Sequence, residues 1–272
     1  MTRRHLTLPD RGALLVSTDL HGNLEDFERL RALFAELSTA EAPAHWVILG
    51  DLVHGPDDEA RDLFPELYGY EDRSPELVEA LVRLMEAHPA QVHYVLGNHD
   101  HAHVGGPRTR KFHADEAAAL EARMSEADVA RLRGLFAGAL LLVTTPCGAA
   151  LCHGAPAACI SKPSDLDGLP LPCRHDWERS LVMALTTAYG QPREVIERFL
   201  AAASREGPAQ RFVIHGHDRA EEGFFVEGEN QLCPVIFGAP RENKRCVVLD
   251  LGARYASVRA LRDGVEIVRL YA

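Results

Sequence analysis

LLVSTDLHGNLEDFERLRALFAEL, residues 14–37, decides the fold: a short apolar run breaks into the polar turn TDLHGN and gives way to a helical stretch from about residue 24. The same change of pattern returns twice. WVIL at 46–49 runs into GDLVHG, with a second helical stretch near 75–87, and VHYVL at 92–96 runs into GNHDH. This order predicts a β-α-β-α-β unit. Beyond it, residues 114–134 predict a helical pair in which Ser125 caps the second helix. Two apolar segments between 139 and 152 flank a Pro-Cys-Gly turn and predict a hairpin. The Pro- and Gly-rich stretch 160–172 reads as loop, and 192–205 reads as a helix with proline at its start. FVI at 212–214 is a further strand. From 224 onward FFV, CPVIF, CVVLDL, YASVRAL and EIVRL all predict short strands. An α/β half followed by a mostly β half predicts stacked sheets with helices outside, not a purely parallel sheet.

Composition narrows the function. The 272 residues fit one large domain or two small ones, and no apolar run approaches the ~18 residues that cross a bilayer. MTRRHLTLPD has no apolar core after its arginines, so neither signal nor transit peptide is expected and the expected compartment is the cytoplasm. A formal net charge of −11 argues against a broad nucleic-acid footprint, and no membrane partner is expected. Six scattered cysteines without a C-x-x-C pair predict reduced thiols. Fourteen histidines are more informative.

Five segments carry metal-ligand residue types after apolar runs: TDLHGN at 18–23, GDLVHG at 50–55, GNHDH at 97–101, LCHGAP at 151–156 and HGHD at 215–218. Residues at the carboxyl ends of strands line one crevice in open α/β sheets, so these segments are expected to converge. Asp19 and His21, two apart on an extended strand end, are expected on one face. Asp51 has two oxygens with which to bridge a pair of cations, Asn98 offers a carbonyl oxygen, and His153 and His217 offer imidazole nitrogen. Such nitrogen and oxygen donors without thiolate suit manganese, iron, zinc or nickel alike, and manganese is the first expectation. Two ions would polarise a phosphoryl group and generate a nucleophile from water. Asp, Gly-Asp and Gly-Asn are also ordinary turn formers. It is the ordered set of five that points to a site.

The set D-x-H, G-D, G-N-H-D, H-G and G-H resembles the signature of calcineurin-like metallophosphoesterases. SPELVEALVRLMEAHPAQVHYVLGNHD at 74–100 and the segments from 216 and 231 onward resemble its serine/threonine phosphoprotein phosphatase branch. The resemblance implies a layered α-β-β-α sandwich in a single domain spanning 1–272. It also implies two metal ions, with Asp19, His21 and Asp51 at one and Asp51, Asn98, His153 and His217 at the other. His99 would act as general acid, and Asp51 and Asn98 would serve catalysis and substrate binding as well as metal. The implied substrate is a phosphorylated protein or small phosphate ester, with phosphoserine or phosphothreonine first. A nucleotide-directed phosphoesterase, such as a dinucleoside polyphosphate hydrolase, and a non-catalytic metal-binding scaffold are the rivals.

The sequence departs from that branch at G-D-x-V-D-R-G, where it reads GDLVHGPDDE. His54 and Gly55 stand where an orienting aspartate and a phosphate-clamping arginine are expected. Residues 55–73 read as an insertion ending in Asp72-Arg73, so Arg73 is the expected clamp and His54 an expected substrate contact. Arg108, Arg110, Arg174 and Arg179 compete for the clamp. Cys173 and Arg179 have C-x5-R spacing, but the two acids and absent glycine between them argue against a cysteine-dependent phosphatase loop. His101 and His103 are expected to be solvated, and His215 to be a packed strand residue.

Overall fold

The computed structural model describes residues 2–39 and 42–271. Its strands are β1 (His5–Thr7), β2 (Ala13–Ser17), β3 (His45–Ile48), β4 (Val92–Tyr94), β5 (Leu142–Thr144), β6 (Ala149–Leu151), β7 (Phe212–Ile214), β8 (Phe224–Glu227), β9 (Gln231–Pro234), β10 (Arg245–Asp250) and β11 (Ile267–Arg269). The helices are α1 (Leu24–Leu37), α2 (Asp58–Leu63), α3 (Pro65–Tyr68), α4 (Ser74–Ala87), α5 (Asn98–His101), α6 (Glu116–Glu121), α7 (Glu126–Gly138), α8 (Asp176–Thr186) and α9 (Arg193–Ala203).

Two mixed sheets stack. One runs β11-β10-β2-β3-β4 and the other β1-β5-β6-β7-β9-β8. Alternation along the strands builds the layers. Leu14, Val16, Val47 and Leu49 of the first sheet meet Val143, Leu151, Phe212 and Ile214 of the second in one buried core. The intervening Leu15, Trp46, Ile48 and Tyr94 turn outward onto Phe27, Leu30 and Phe34 of α1, Leu77 and Leu81 of α4, and Phe136 of α7. Trp46 stacks on Phe27 at 5.5 Å, and its indole N–H donates to Ser17 Oγ at 2.9 Å. On the far face Ala150, Cys152 and Val213 pack under α8 and α9. The expected layered sandwich is therefore what the chain builds.

Register positions the site. Ser17 pairs with Ile48 and Ile48 with Tyr94 in parallel strands, so the loops after β2, β3 and β4 leave the sheet at one level. Leu151 pairs with Ile214 in the second sheet, which brings the His153 and His217 loops out together.

Some elements depart from the sequence reading. YASVRAL, read as a strand, holds instead a 3₁₀ turn at Val258–Ala260. Its apolar residues Val258 and Leu261 are three apart, and a 3₁₀ turn places such a pair on one side, where both are buried. β1 and α8 lie where the sequence reading gives no element. β1 is three residues long and owes its form to parallel pairing with β5, a non-local partner. Within the stretch expected as an insertion, α2 and α3 fold side by side. No cysteine forms a disulfide, and Cys159 alone of the six is exposed. Among the described residues no helix is long and apolar enough to cross a membrane.

Candidate metal centre

The loop after β2 does not extend as expected. Asp19 and His21 have φ of 46° and 43°, and Asp51, His54 and His217 also lie in the left-handed region, at 51°, 71° and 71°. Among the described residues these are all the non-glycine residues with positive φ. Such conformations cost about 1–3 kcal/mol each and persist where surroundings over-determine them. Here the surroundings are backbone bonds between the loops: Asp19 N donates to Gly50 O, His21 N to Asp51 O and Gly22 N to Leu52 O, at 2.8–3.2 Å.

Asp100 ties the loops together. Its Oδ2 accepts from Asp51 N, Gly97 N and Tyr94 OH at 2.9, 2.9 and 2.6 Å, and its Oδ1 accepts from Leu52 N at 3.1 Å. Burial and the nearby Asp51 raise its pKa to about 6. The glycines of G-D and G-N are needed for close approach. A Cβ on Gly50 would strike Gly97 N, and one on Gly97 would strike Asp51 N.

Asp19, His21, Asp51, Asn98, His99 and His217 line one cleft. His153 is fully buried at its floor. Asp51 Oδ2 lies 3.6 Å from His21 Nε2 and 3.5 Å from His153 Nε2. Asn98 Oδ1 lies 3.0 Å from His153 Nε2 and 2.8 Å from His217 Nδ1. Asp19 accepts from His217 N at 3.1 Å. Two groups able to hold an ion, His21–Asp51–His99 and Asp51–His153–His217, thus share Asp51.

Ring tautomers test the fit. His21 Nδ1 faces the carbonyls of Val53 and His54 at 3.1 Å, and His153 Nδ1 faces Leu49 O at 2.5 Å. A carbonyl only accepts, so in each neutral ring Nδ1 carries the hydrogen and Nε2 presents a lone pair. Those lone pairs point at a carboxylate oxygen and an amide oxygen. Acceptors converging on acceptors is an arrangement that cations resolve, and backbone-held imidazoles are typical metal ligands. Burial, with Asp51 adding to it against the pull of His153, raises Asp19 to about 7, and burial lowers His217 to about 4.

Arg73 does not reach this cleft. It is half exposed and pairs with Glu76 at 3.2 Å, because Arg73 directly precedes α4 and Glu76 lies one turn on. Its neighbour Asp72 accepts from Ser74 and pairs with Arg123. The cations that do line the cleft are Arg110, Lys111 and Arg219. Lys111 Nζ sits 3.7 Å over the Phe237 ring, and burial with Arg219 nearby lowers it to about 7. Of the competing arginines, Arg108 pairs with Asp115 and Arg179 with Asp176; Arg179 therefore serves α8, not a phosphate loop.

His54, the expected substrate contact, does not line the cleft either. It is buried behind His99, its Nδ1 3.1 Å from His99 Nδ1 and its Nε2 2.9 Å from His103 Nε2. Burial and its two histidine neighbours lower it to about 3. His101 and His103, expected in solvent, are buried; His103 Nδ1 pairs with Glu121 at 2.9 Å. Glu116, which sequence reasoning missed, lies 3.2 Å from His99 Nδ1 through Oε2. Against burial, His99 and the Phe112 N–H bring it down to about 2. Nothing local in the sequence marks Glu116 or Lys111, since both come from the stretch between the third and fourth motifs. His215 is packed as expected.

The sequence pattern of the calcineurin-like phosphoesterase family matches residues 13–221. Among solved structures, the chain is similar to a protein serine/threonine phosphatase from Saccharomyces cerevisiae with similarity to human phosphatase PP5. The identity is 16%, covering 92% of this chain and 77% of that one, with a TM-score of 0.62. It is also similar to a cold-active protein-tyrosine phosphatase of the psychrophile Shewanella sp., at 12% identity, covering 93% and 78%, with a TM-score of 0.53. No curated protein matches in sequence. These structural likenesses show the fold, while the family match covers most of the sequence and every metal-type motif found in it. With its shared Asp51 and converging imidazoles, the chain belongs to the calcineurin-like phosphoesterases and is a metal-dependent hydrolase.

Proposed function

We propose that the chain hydrolyses phosphate monoesters on serine and threonine side chains of proteins. The observation that carries this reading is the shape of the cleft. At Lys111 and Arg219 it continues into a groove of about 590 Å³ lined by Leu63, Phe64, Leu67, Tyr68 and Phe112. A leaving group much larger than an alcohol therefore has a surface to lie on beyond the phosphate.

Asp19, His21, Asp51, Asn98, His153 and His217 would hold the two ions, manganese first, with iron, zinc or nickel as alternatives. Such ions supply Lewis acidity and lower the pKa of bound water. The chain's own residues do the rest. Arg110, Lys111 and Arg219 balance the charge of the phosphate. His99 Nδ1 points away from the cleft, toward His54 Nδ1 at 3.1 Å and Glu116 Oε2 at 3.2 Å, which leaves Nε2 to give a proton to the departing oxygen. Phe237 stacks on Tyr68 and lies 4.0 Å from the His21 ring, an apolar wall that limits water beside the reacting group.

The aromatic groove beside two cations also suits a nucleobase and a second phosphate, the one rival reading that a specific feature favours. Phosphopeptides assayed beside a dinucleoside polyphosphate separate the two: higher kcat/KM for phosphopeptides supports the proposal, and preference for the polyphosphate overturns it. Turnover of an aryl phosphate with added Mn²⁺ excludes a non-catalytic scaffold.

A further inference from the structure

We propose that His54, His99 and Glu116 form a third cation site, suited to Zn²⁺, behind the paired metal positions. The three ligand atoms make a buried triangle. His99 Nδ1 is 3.1 Å from His54 Nδ1 and 3.2 Å from Glu116 Oε2, and His54 Nδ1 is 3.8 Å from that oxygen. Ligands bonded at about 2.0–2.2 Å to a tetrahedral zinc stand roughly 3.3–3.5 Å apart, so the triangle has the right size. Two imidazoles and a carboxylate are an established donor set for that ion.

Hydrogen bonds behind the triangle set the ring nitrogens. Arg133 donates to both oxygens of Glu121, at 3.1 and 2.6 Å, and holds it as a carboxylate. Glu121 accepts from His103 Nδ1, so neutral His103 turns a lone pair at Nε2 toward His54 Nε2, 2.9 Å away. His54 then donates from Nε2 and presents a lone pair at Nδ1 to Glu116 and His99. A carboxylate–imidazole chain of this kind orients histidines that ligate metals.

Glu116 supplies the second observation. Its Oε1 accepts from Phe112 N at 3.0 Å, but its Oε2 is buried without a hydrogen-bond partner. A hydrogen on His99 Nδ1 bridges to His54 Nδ1 and leaves that oxygen unsatisfied, and a buried charged oxygen without a partner is unfavourable. A divalent cation satisfies all three atoms at once. It would also fix the His99 ring by its rear nitrogen.

The test is ion stoichiometry by elemental analysis on the full chain equilibrated with Zn²⁺ and then freed of excess metal. Three ions per chain are expected, falling to two in Glu116→Gln and in His54→Gln. Asp51→Asn is expected to lose the paired ions and keep the third. Two ions in the wild-type chain, unchanged in Glu116→Gln, overturn the third site and leave Glu116 as a positioning carboxylate. An Asp51→Asn chain that keeps every ion overturns the paired centre instead, so the two failures are distinguishable. If both site variants fail to fold, anomalous scattering at the zinc edge from wild-type crystals decides: a peak among His54, His99 and Glu116 supports the site, and its absence overturns it.

Discussion

Replacing Lys111 by methionine removes one charge from the cleft while keeping an unbranched apolar stem over Phe237. Lys111 Nζ lies 3.7 Å from that ring's centroid, so much of the side chain's packing survives the change. A hydrogen bond to a charged group contributes about 1.5–3 kcal/mol, and each 1.4 kcal/mol is tenfold, so kcat/KM for a phosphate monoester should fall roughly 10- to 150-fold. The loss should depend on pH. Burial, with Arg219 nearby, lowers Lys111 to about 7, so its charge is present below that pH and is lost as pH rises through it. The wild-type advantage is therefore full at pH 6 and shrinks by pH 8.5. The assay is steady-state hydrolysis of phenyl phosphate by both proteins at the two pH values, with metal content and melting temperature measured alongside. Unchanged kcat/KM at pH 6, or a deficit of equal size at both pH values, would refute the reasoning.

His99→Ala should retain its paired ions yet lose about 10²–10⁴ in turnover of alkyl phosphates, and lose much less with nitrophenyl phosphate, whose leaving group needs no proton; equal fractional losses on both would remove the acid role. Arg73→Ala should leave KM, kcat and metal content unaltered, because its partner is the half-exposed Glu76 and exposed pairs contribute about 0–1 kcal/mol. Lys244→Ala strands the carboxylate of Asp26, to which Lys244 Nζ is bonded at 2.5 Å with both side chains buried. Because Tyr271 still donates to Asp26 at 2.6 Å, the cost should lie near the low end for a broken buried pair, about 3 kcal/mol, read as a melting temperature lower by roughly 6–12 °C.

Strands β2 to β4, helices α1 and α4 and the Ser125 cap were legible because their signals are local: apolar alternation, a 3.6-residue stripe, a capping side chain. The five metal-type segments were legible for the same reason, each being a strand followed by a turn. What could not be read was set by distance along the chain. Glu116 reaches His99 from α6, Lys111 enters from the irregular stretch before it, and β1 exists because β5 lies beside it. Arg73 misled because motif order suggested a replacement for the absent arginine close by in sequence, whereas α4 begins immediately after it and commits the side chain to Glu76. The extended Asp19–His21 strand end failed because bonding to the Gly50–Leu52 loop continues past Ser17 and turns both residues left-handed.

Asp100 accepts four hydrogen bonds from two loops and the end of a strand, and it touches neither the groove nor its walls. The floor of the cleft is thereby divided from its rim in a way that matters for how such a protein can diversify. Substitutions in α2, α3 or the 109–112 segment can reshape what the cleft admits without altering the positions of Asp51 and Asn98. A change at Asp100 would disturb every substrate alike. New specificities in a lineage of this chain are expected to accumulate in the walls, with the floor inherited as one indivisible part.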